Sequence, residues 1–141
     1  MLRKASAVWS GGLKDGNGSI STDSGVLSET QYSFSTRFEN GIGTNPEELI
    51  AAAHAGCFSM ALSGQLGAAG LTADSINTTA SVRLEKLESG FAVTSVHLEV
   101  RAKVPGAYEA AFATAAGNAK AGCPISKLLN AEITIDAALV D

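Results

Sequence analysis

The chain has 141 residues, a formal net charge of −4 and two cysteines. This length suits one domain that buries a core without disulfides or a metal, so we expect a single domain over residues 1–141. The basic residues are few and scattered, which argues against nucleic acid or an anionic membrane as the partner and favours a small molecule.

The N-terminal part is predicted to form three strands. Residues 6–10 and 19–22 flank a glycine-rich turn, which is typical of a hairpin. Apolar and polar residues then alternate over residues 32–38, and this alternation predicts a third strand. Its apolar face would carry Tyr32, Phe34, Thr36 and Phe38. On such a strand Arg37 points away from the aromatic face.

Helices and further strands follow. Asn45 is a predicted N-cap, Pro46 fits the first helical position, and Glu48 completes a pattern typical of a capping box. This helix should run to about Gly67 or Gly70. Residues 78–87 and 91–104 then predict a long hairpin, followed by a helix over 108–121, a short helix over 124–129 and a strand over 133–140. The order β-β-β-α-β-β-α-(short α)-β predicts an α+β fold.

No membrane span or export signal is expected. The apolar stretch over residues 49–66 is rich in alanine and interrupted by polar residues, which favours a buried helix over a membrane span. The first residues carry two cations with no apolar run after them, so we expect no secretory signal. The cytoplasm is therefore the expected location, where thiols stay reduced unless chemistry oxidises them.

The two cysteines are the strongest functional signal. If Pro124 opens a short helix, Cys123 becomes its N-cap, where free N–H groups and the helix dipole favour a thiolate. Cys123 could equally be a small apolar residue that closes a tight joint. Cys57 lies among alanines in the middle of a helix, where burial would raise the pKa of its thiol.

An anion at Cys57 needs strong support. Lowering a thiol pKa from about 8.5 to below 6 takes roughly 3.5 kcal/mol, whereas a helix dipole gives about 1 kcal/mol. A cation in hydrogen-bond contact is the stronger candidate, and Arg37 is the arginine expected just before the long helix. Glu47 or Glu48 would orient that arginine. In the alternative, Arg37 faces solvent and both glutamates only favour the helix N-terminus.

Several segments resemble the OsmC/Ohr family of hydroperoxide peroxidases. They are residues 36–38 (TRF), 43–49 (GTNPEEL), 52–61 (AAHAGCFSMA) and 121–126 (AGCPIS). The resemblance spans the whole chain. Residues 21–27 and the position of Arg37 resemble the OsmC branch rather than the Ohr branch.

The resemblance implies a thiol peroxidase on an intertwined α+β homodimer with long central helices, reducing organic hydroperoxides to alcohols. Cys57 matches the cysteine that attacks the peroxide and becomes a sulfenic acid, and Cys123 matches the one that closes the disulfide. Arg37 matches the arginine that holds the thiolate, and Glu47 the carboxylate that orients it. The implied reductant is a dithiol of the lipoyl type, and no cofactor or metal is implied. This assignment conflicts with the capping argument, which makes Cys123 the easier thiolate.

Helix arithmetic adds an expectation about assembly. Glu47 and Cys57 are ten residues apart, about 15 Å along one helix. One straight helix cannot bring both to one arginine unless the arginine bridges most of the gap. We therefore expect active sites shared between the subunits of a homodimer. The cleft should have apolar walls that favour an alkyl tail, formed by Tyr32, Phe34, Phe38, Leu49, Ile50, Phe58, Met60 and Leu62.

Three other functions fit parts of the sequence. His54 and Cys57 share a helix face and, with His97 and Cys123, could bind zinc, although the spacing matches no finger-like pattern. His54 could deprotonate Cys57 in a cysteine hydrolase, although no residue that would orient the histidine is evident. A non-catalytic carrier could hold a small apolar ligand in a dimer cleft, with the cysteines incidental.

Overall fold

The computed structural model describes residues 1–141 and divides into two compact units, residues 1–49 and residues 50–141. Its elements in chain order are β1 (Ala5–Ser10), β2 (Asn17–Thr22), β3 (Thr30–Tyr32), α1 (Phe34–Phe38), α2 (Pro46–Ala68), β4 (Ser75–Leu87), β5 (Gly90–Lys103), α3 (Glu109–Gly122), α4 (Pro124–Leu128) and β6 (Glu132–Leu139). The α+β class is confirmed. That the two units act as one domain stays a prediction.

The first unit contains a three-stranded antiparallel sheet in the order β1-β2-β3. The predicted hairpin is present, with Ala5 opposite Thr22 and Ser10 opposite Asn17. Its turn begins at Gly11, whose φ of 92° lies in the left-handed region that favours glycine. Every residue of β1 is exposed, and no hydrophobic side chain of residues 1–49 is buried. This unit therefore has no apolar core of its own.

The prediction of a strand through residue 38 was wrong, because residues 34–38 form helix α1. Ser33 caps it: its hydroxyl accepts the Thr36 N–H at 3.3 Å, and the Thr36 hydroxyl accepts the Ser33 N–H at 2.8 Å. This reciprocal box satisfies two backbone donors and ends the strand at Tyr32. The aromatic pair Phe34 and Phe38 is four residues apart, a spacing that also suits one helix face, and the ring centroids lie 4.8 Å apart.

Helix α2 begins where the sequence predicts. The side chain of Asn45 accepts the Glu48 N–H at 2.8 Å, which is the expected N-cap bond. The Glu48 carboxylate does not close the box on Asn45; it accepts the Thr44 hydroxyl at 2.7 Å instead. Asn45 also donates to the Thr36 carbonyl at 3.0 Å, which ties the end of α1 to the start of α2.

The second unit packs α2 and α3 with a three-stranded sheet in the order β4-β5-β6. Strands β4 and β5 form the predicted long hairpin, with Ser75 opposite Lys103 and a bulge between Arg83 and Leu84. Strand β6 pairs with β5 in parallel. The buried core consists of Phe58, Leu62 and Leu66 from α2, Val96, Leu98, Val100 and Ala102 from β5, Val104, and Phe112, Ala115, Ala116 and Ala119 from α3.

Only one face of α2 belongs to this core. Its buried residues His54, Phe58, Leu62 and Leu66 recur every four positions, as expected for one helix face. By length and composition alone α2 could cross a membrane, with a mean hydropathy of 1.3, and 22% of that window is buried. The side chains on the rest of α2 are largely small and apolar, so another chain can pack against this helix.

Candidate active site

Cys57 and Cys123 lie together in the second unit. Their Sγ atoms are 2.8 Å apart, and both cysteines are free thiols. Cys57 is partly exposed, whereas Cys123 is 0% exposed. A solute can therefore meet Cys57 from water but cannot meet Cys123 unless the chain moves. After oxidation, a small approach of the two sulfurs would give the bond length of a disulfide, about 2.05 Å.

Cys123 is held at the joint between two helices. Its N–H donates to the Ala119 carbonyl at 2.9 Å and ends α3, while its carbonyl accepts the Lys127 N–H at 3.1 Å and starts α4. Pro124 occupies the first position of α4, as predicted, and keeps Cys123 out of the helical conformation. The thiol makes no standard capping bond, and its sulfur is in hydrogen-bond contact with that of Cys57.

The surroundings treat the two thiols differently. Burial raises the pKa of the Cys57 thiol, and the hydrogen bond with Cys123 raises it further. Burial also acts to raise the pKa of Cys123, but hydrogen bonds from Cys57 and from the side chain and backbone of Ser126 outweigh it and lower that pKa. Within residues 50–141, the surroundings therefore favour a thiolate more at Cys123 than at Cys57. This direction agrees with the capping argument from the sequence.

His54 is buried beside this pair. Its exposure is 0%, and Nε2 lies 2.7 Å from the Ser126 hydroxyl oxygen. Nδ1 is buried without a hydrogen-bond partner. Burial lowers the pKa of His54, so the ring is neutral at pH 7. Because its one hydrogen bond goes to Ser126, His54 is not arranged as the base that the hydrolase alternative requires at Cys57.

The zinc alternative lacks a converging set of ligands. No group of three or more His, Cys, Asp or Glu residues in the chain could hold a metal ion. His97 is exposed on β5, where Nδ1 lies 2.7 Å from the Thr134 hydroxyl oxygen. Cys57 and Cys123 hydrogen-bond each other, whereas His54 and His97 each hydrogen-bond a different hydroxyl group.

Arg37 and Glu47 form a bidentate ion pair in the first unit. Arg37 Nη2 donates to Glu47 Oε1 at 2.7 Å, and Nε lies 3.1 and 3.2 Å from the two carboxylate oxygens. The guanidinium also stacks over Phe38, 5.4 Å from its centroid. Glu47 is thus the carboxylate that orients the arginine, whereas Glu48 is engaged with Thr44. Arg37 projects from α1 and not from the strand that the alternation predicted.

An apolar cavity of about 300 Å³ adjoins this ion pair in the first unit. It is lined by Trp9, Leu13, Tyr32, Ser33, Phe34, Arg37, Phe38 and Pro46. Three aromatic residues expected to form apolar walls, Tyr32, Phe34 and Phe38, are among them. The expectation was wrong for Phe58 and Leu62, which are 0% exposed because they fill the core of the second unit.

The pair of His54 and Ser126 was missed by the sequence reasoning, which weighed His54 only as a zinc ligand or a base. One signal was present: His54 precedes Cys57 by three residues, and Ser126 follows Cys123 by three. Residues three apart are neighbours on a helix. A contact between the two cysteines therefore also favours a contact between their neighbours.

Comparison with known proteins gives full-length matches. The family described as OsmC-like protein matches residues 39–138, a range that includes both cysteines. Peroxiredoxin OsmC of Escherichia coli strain K12 is 54% identical over 137 residues, covering 97% of this chain and 96% of that protein. The crystal structure of the organic hydroperoxide resistance protein OhrB of Bacillus subtilis is 27% identical, with a TM-score of 0.74 and coverage of 96% and 98%. An organic hydroperoxide resistance protein from Elizabethkingia anophelis is also 27% identical, with a TM-score of 0.75 and coverage of 99% of each chain.

Burial of His54 predicts a pH dependence of stability. Because its pKa is lowered in the folded chain, only the unfolded chain gains this proton as the pH falls below about 6.5. The free energy of unfolding should therefore decrease from pH 7.5 to pH 5.5, and His54→Gln should reduce this decrease. Urea unfolding at fixed protein concentration measures it. His97→Gln, at the exposed histidine, is the control and should keep the wild-type decrease; the same decrease in His54→Gln would contradict the prediction.

Proposed function

Because the chain belongs to the OsmC family, we propose that it is a two-cysteine peroxidase that reduces organic hydroperoxides to alcohols at the expense of a thiol reductant. One observation carries the proposal: two free thiols lie 2.8 Å apart, and Cys57 is partly exposed while Cys123 is fully buried. The exposed member can meet the peroxide. The buried member is placed to form the disulfide without leaving the core.

In the first step Cys57 attacks the peroxide as a thiolate. A sulfur–oxygen bond forms, the oxygen–oxygen bond breaks, and the alkoxide takes a proton to leave as the alcohol. Cys57 is left as a sulfenic acid. Cys123 is placed to take up the proton of Cys57 across their short contact as the Cys57 thiolate forms.

Arg37 is the proposed cation of this step, and Glu47 is its orienting partner. A guanidinium beside Cys57 would move the shared negative charge from Cys123 to Cys57 and would stabilise the oxygen that leaves. The observed fork between Arg37 and Glu47 supports this role because it fixes the plane of the guanidinium while Nη1 makes no hydrogen bond. A lysine could not reproduce two parallel contacts.

In the second step Cys123 attacks the sulfenic sulfur of Cys57. The disulfide forms, the sulfur–oxygen bond breaks, and hydroxide leaves as water with the proton that Cys123 gave up. A reductant with two thiols then returns both cysteines to the thiol state by exchange. We propose a dithiol of the lipoyl type, as the family resemblance implies, acting in the cytoplasm.

We also propose an intertwined homodimer with shared active sites, in which the chain acts as one domain over residues 1–141. Two features support a partner chain: residues 1–49 bury no hydrophobic side chain, and only four of the 23 residues of α2 are buried although the helix is apolar. A second copy would cover both surfaces. Antiparallel packing of α2 on its two-fold mate would place Glu47 and Arg37 of one subunit near Cys57 of the other.

The two serine substitutions should fail differently. Cys57→Ser should consume no hydroperoxide, because no sulfenic acid can form. Cys123→Ser should consume about one equivalent per chain and then stall or over-oxidise at Cys57, since the resolving step is lost. Rapid-mixing peroxide assays measure the burst. Bursts of equal size in both variants would overturn the assignment, and a carrier without peroxidase activity would show no consumption even in the wild type.

Shared sites should restore activity in a mixed dimer. If Glu47→Ala is co-expressed with Cys57→Ser, one of the two sites keeps both native groups and the other loses both, so about half the wild-type activity should return. Activity no higher than that of the parental variants would refute sharing. The control combines Glu47→Ala with Arg37→Ala. Because these residues pair within one unit, this mixed dimer should gain no activity.

The apolar cavity beside Arg37 should favour alkyl hydroperoxides. Each buried methylene contributes about 0.8 kcal/mol, so a four-carbon tail would gain on the order of 3 kcal/mol, or about a hundredfold in kcat/KM if fully expressed. Partial burial reduces this, and we expect cumene or tert-butyl hydroperoxide to exceed hydrogen peroxide by at least about tenfold.

The substitution Phe38→Ala should shrink that ratio of kcat/KM values, because Phe38 lines the cavity. Phe91→Ala is the matched control, since Phe91 lies on the β4–β5 hairpin and does not line the cavity. Equal kcat/KM values for hydrogen peroxide and the alkyl hydroperoxides in the wild type would contradict the argument from the cavity.

A further inference from the structure

A partly buried series of hydrogen bonds runs behind the two cysteines. His54 Nε2 lies 2.7 Å from the hydroxyl oxygen of Ser126, and the Ser126 hydroxyl in turn forms a hydrogen bond with the sulfur of Cys123. Ser126 stands three residues after Cys123, at the third position of α4. The order is therefore His54, Ser126, Cys123 and Cys57, from the core toward the partly exposed sulfur.

The hydrogen positions in this chain follow from satisfying each donor. If Nε2 carries the ring hydrogen, it donates to Ser126, and the hydroxyl hydrogen is left to donate to Cys123. If Nδ1 carries it instead, a buried N–H has no acceptor, since Nδ1 has no partner. The hydroxyl must then turn to Nε2 and away from the sulfur. A buried N–H without an acceptor is unfavourable, so the first arrangement is favoured.

We propose that His54 is a positioning residue that acts through Ser126, directing the serine hydroxyl onto Cys123 so that this sulfur attacks the sulfenic acid of Cys57 as a thiolate. The inference rests on the proposed peroxidase function and extends it to the resolving step. His54 itself stays neutral and touches neither the peroxide nor the reacting sulfurs. Its contribution is to fix the direction of one hydroxyl hydrogen.

Few other groups compete for this role. The interactions that lower the pKa of Cys123 come from Cys57, Ser126 and the backbone N–H of Ile125. Lys120 stands in the last turn of α3, and Lys127 stands in the last turn of α4, away from the N-terminal end of that helix at which Cys123 lies. Once Cys57 is a sulfenic acid, its S–H is gone and no longer donates to Cys123. The Ser126 hydroxyl should then provide a larger part of the stabilisation of the Cys123 thiolate, at the step in which Cys123 attacks the sulfenic sulfur.

Loss of the hydrogen bonds that link His54, Ser126 and Cys123 should affect the two chemical steps differently. In His54→Leu the hydroxyl of Ser126 is no longer directed, so less Cys123 is thiolate and resolution should slow about five- to tenfold at pH 7. Oxidation of Cys57 should keep at least its wild-type rate, because weaker support for a charge on Cys123 does not disfavour the charge on Cys57. A histidine that only fills the core would slow both steps.

The test uses the full-length protein, one equivalent of cumene hydroperoxide, and rapid quenching with a thiol-blocking reagent, with mass spectrometry to count sulfenic acid and disulfide. His54→Leu and Ser126→Ala should accumulate Cys57 sulfenic acid, and their resolution rates should approach the wild-type rate as the pH rises. His54→Gln keeps an amide N–H near the position of Nε2 and should restore resolution. Ser59→Ala, at a serine five residues after His54 on α2, is the control and should resolve like the wild type.

The outcomes separate the two claims. A wild type that forms neither sulfenic acid nor disulfide would refute the proposed function itself. A wild type that forms the disulfide, with His54→Leu and Ser126→Ala resolving at its rate and pH midpoint, would overturn only the role of His54. A folded His54→Gln variant that resolves as slowly as His54→Leu would also overturn it. If His54→Leu does not fold, Ser126→Ala decides, because it removes the hydroxyl and leaves the histidine in place.

Discussion

The contact between the sulfurs of Cys57 and Cys123 is the interaction on which the rest of the account depends. It joins residues 66 apart in the chain, one in the middle of a long helix and one at the joint between two others. Proline at the first position of α4 and the end of α3 at Cys123 fix this joint. Phe58 on α2, the helix of Cys57, and Phe112 on α3, the helix that ends at Cys123, are both buried in the core. The core therefore anchors the helices that carry the thiol pair.

The surroundings of the two thiols differ in a way that suits different roles in the proposed reaction. Neutral donors, the Ser126 hydroxyl and nearby backbone N–H groups, stabilise charge on the buried sulfur and do not require a buried cation. At the partly exposed sulfur the backbone N–H of Ile125 also acts to lower the pKa, but burial and the hydrogen bond with Cys123 outweigh it and raise the pKa of Cys57. A guanidinium such as that of Arg37 would stabilise a thiolate at Cys57 only when it lies beside that sulfur. In this account, the attack on the peroxide depends on a group outside the second unit, and the resolving attack does not.

Much of the fold follows from local sequence signals. The N-cap at Asn45, the long hairpin and the proline that opens α4 were predicted because each depends on residues close in the chain. The family resemblance, drawn from short motifs around the cysteines and Asn45, is confirmed. The short helix α1 was misread because aromatic residues at 34 and 38 fit a strand face as well as a helix face, and the deciding contact was the small box between Ser33 and Thr36.

The side-chain partners were harder to predict than the elements. His54 and Ser126 are 72 residues apart, and no local pattern names such a pair. The face of α2 that carries Phe58 and Leu62 was expected at a cleft, yet it fills the core, because an alanine-rich helix is apolar on every side and its pattern does not show which face is buried. The choice of Glu47 over Glu48 likewise depended on the resemblance and not on spacing.

The most direct test of the account is to locate the oxidised bond. The reduced wild-type protein is treated with one equivalent of cumene hydroperoxide per chain, free thiols are counted, and the digest is mapped by mass spectrometry without reduction. Both thiols should disappear together, and one peptide pair, linked through Cys57 and Cys123 of the same chain, should replace them. Loss of a single thiol, or a disulfide between Cys57 residues of two chains, would contradict it.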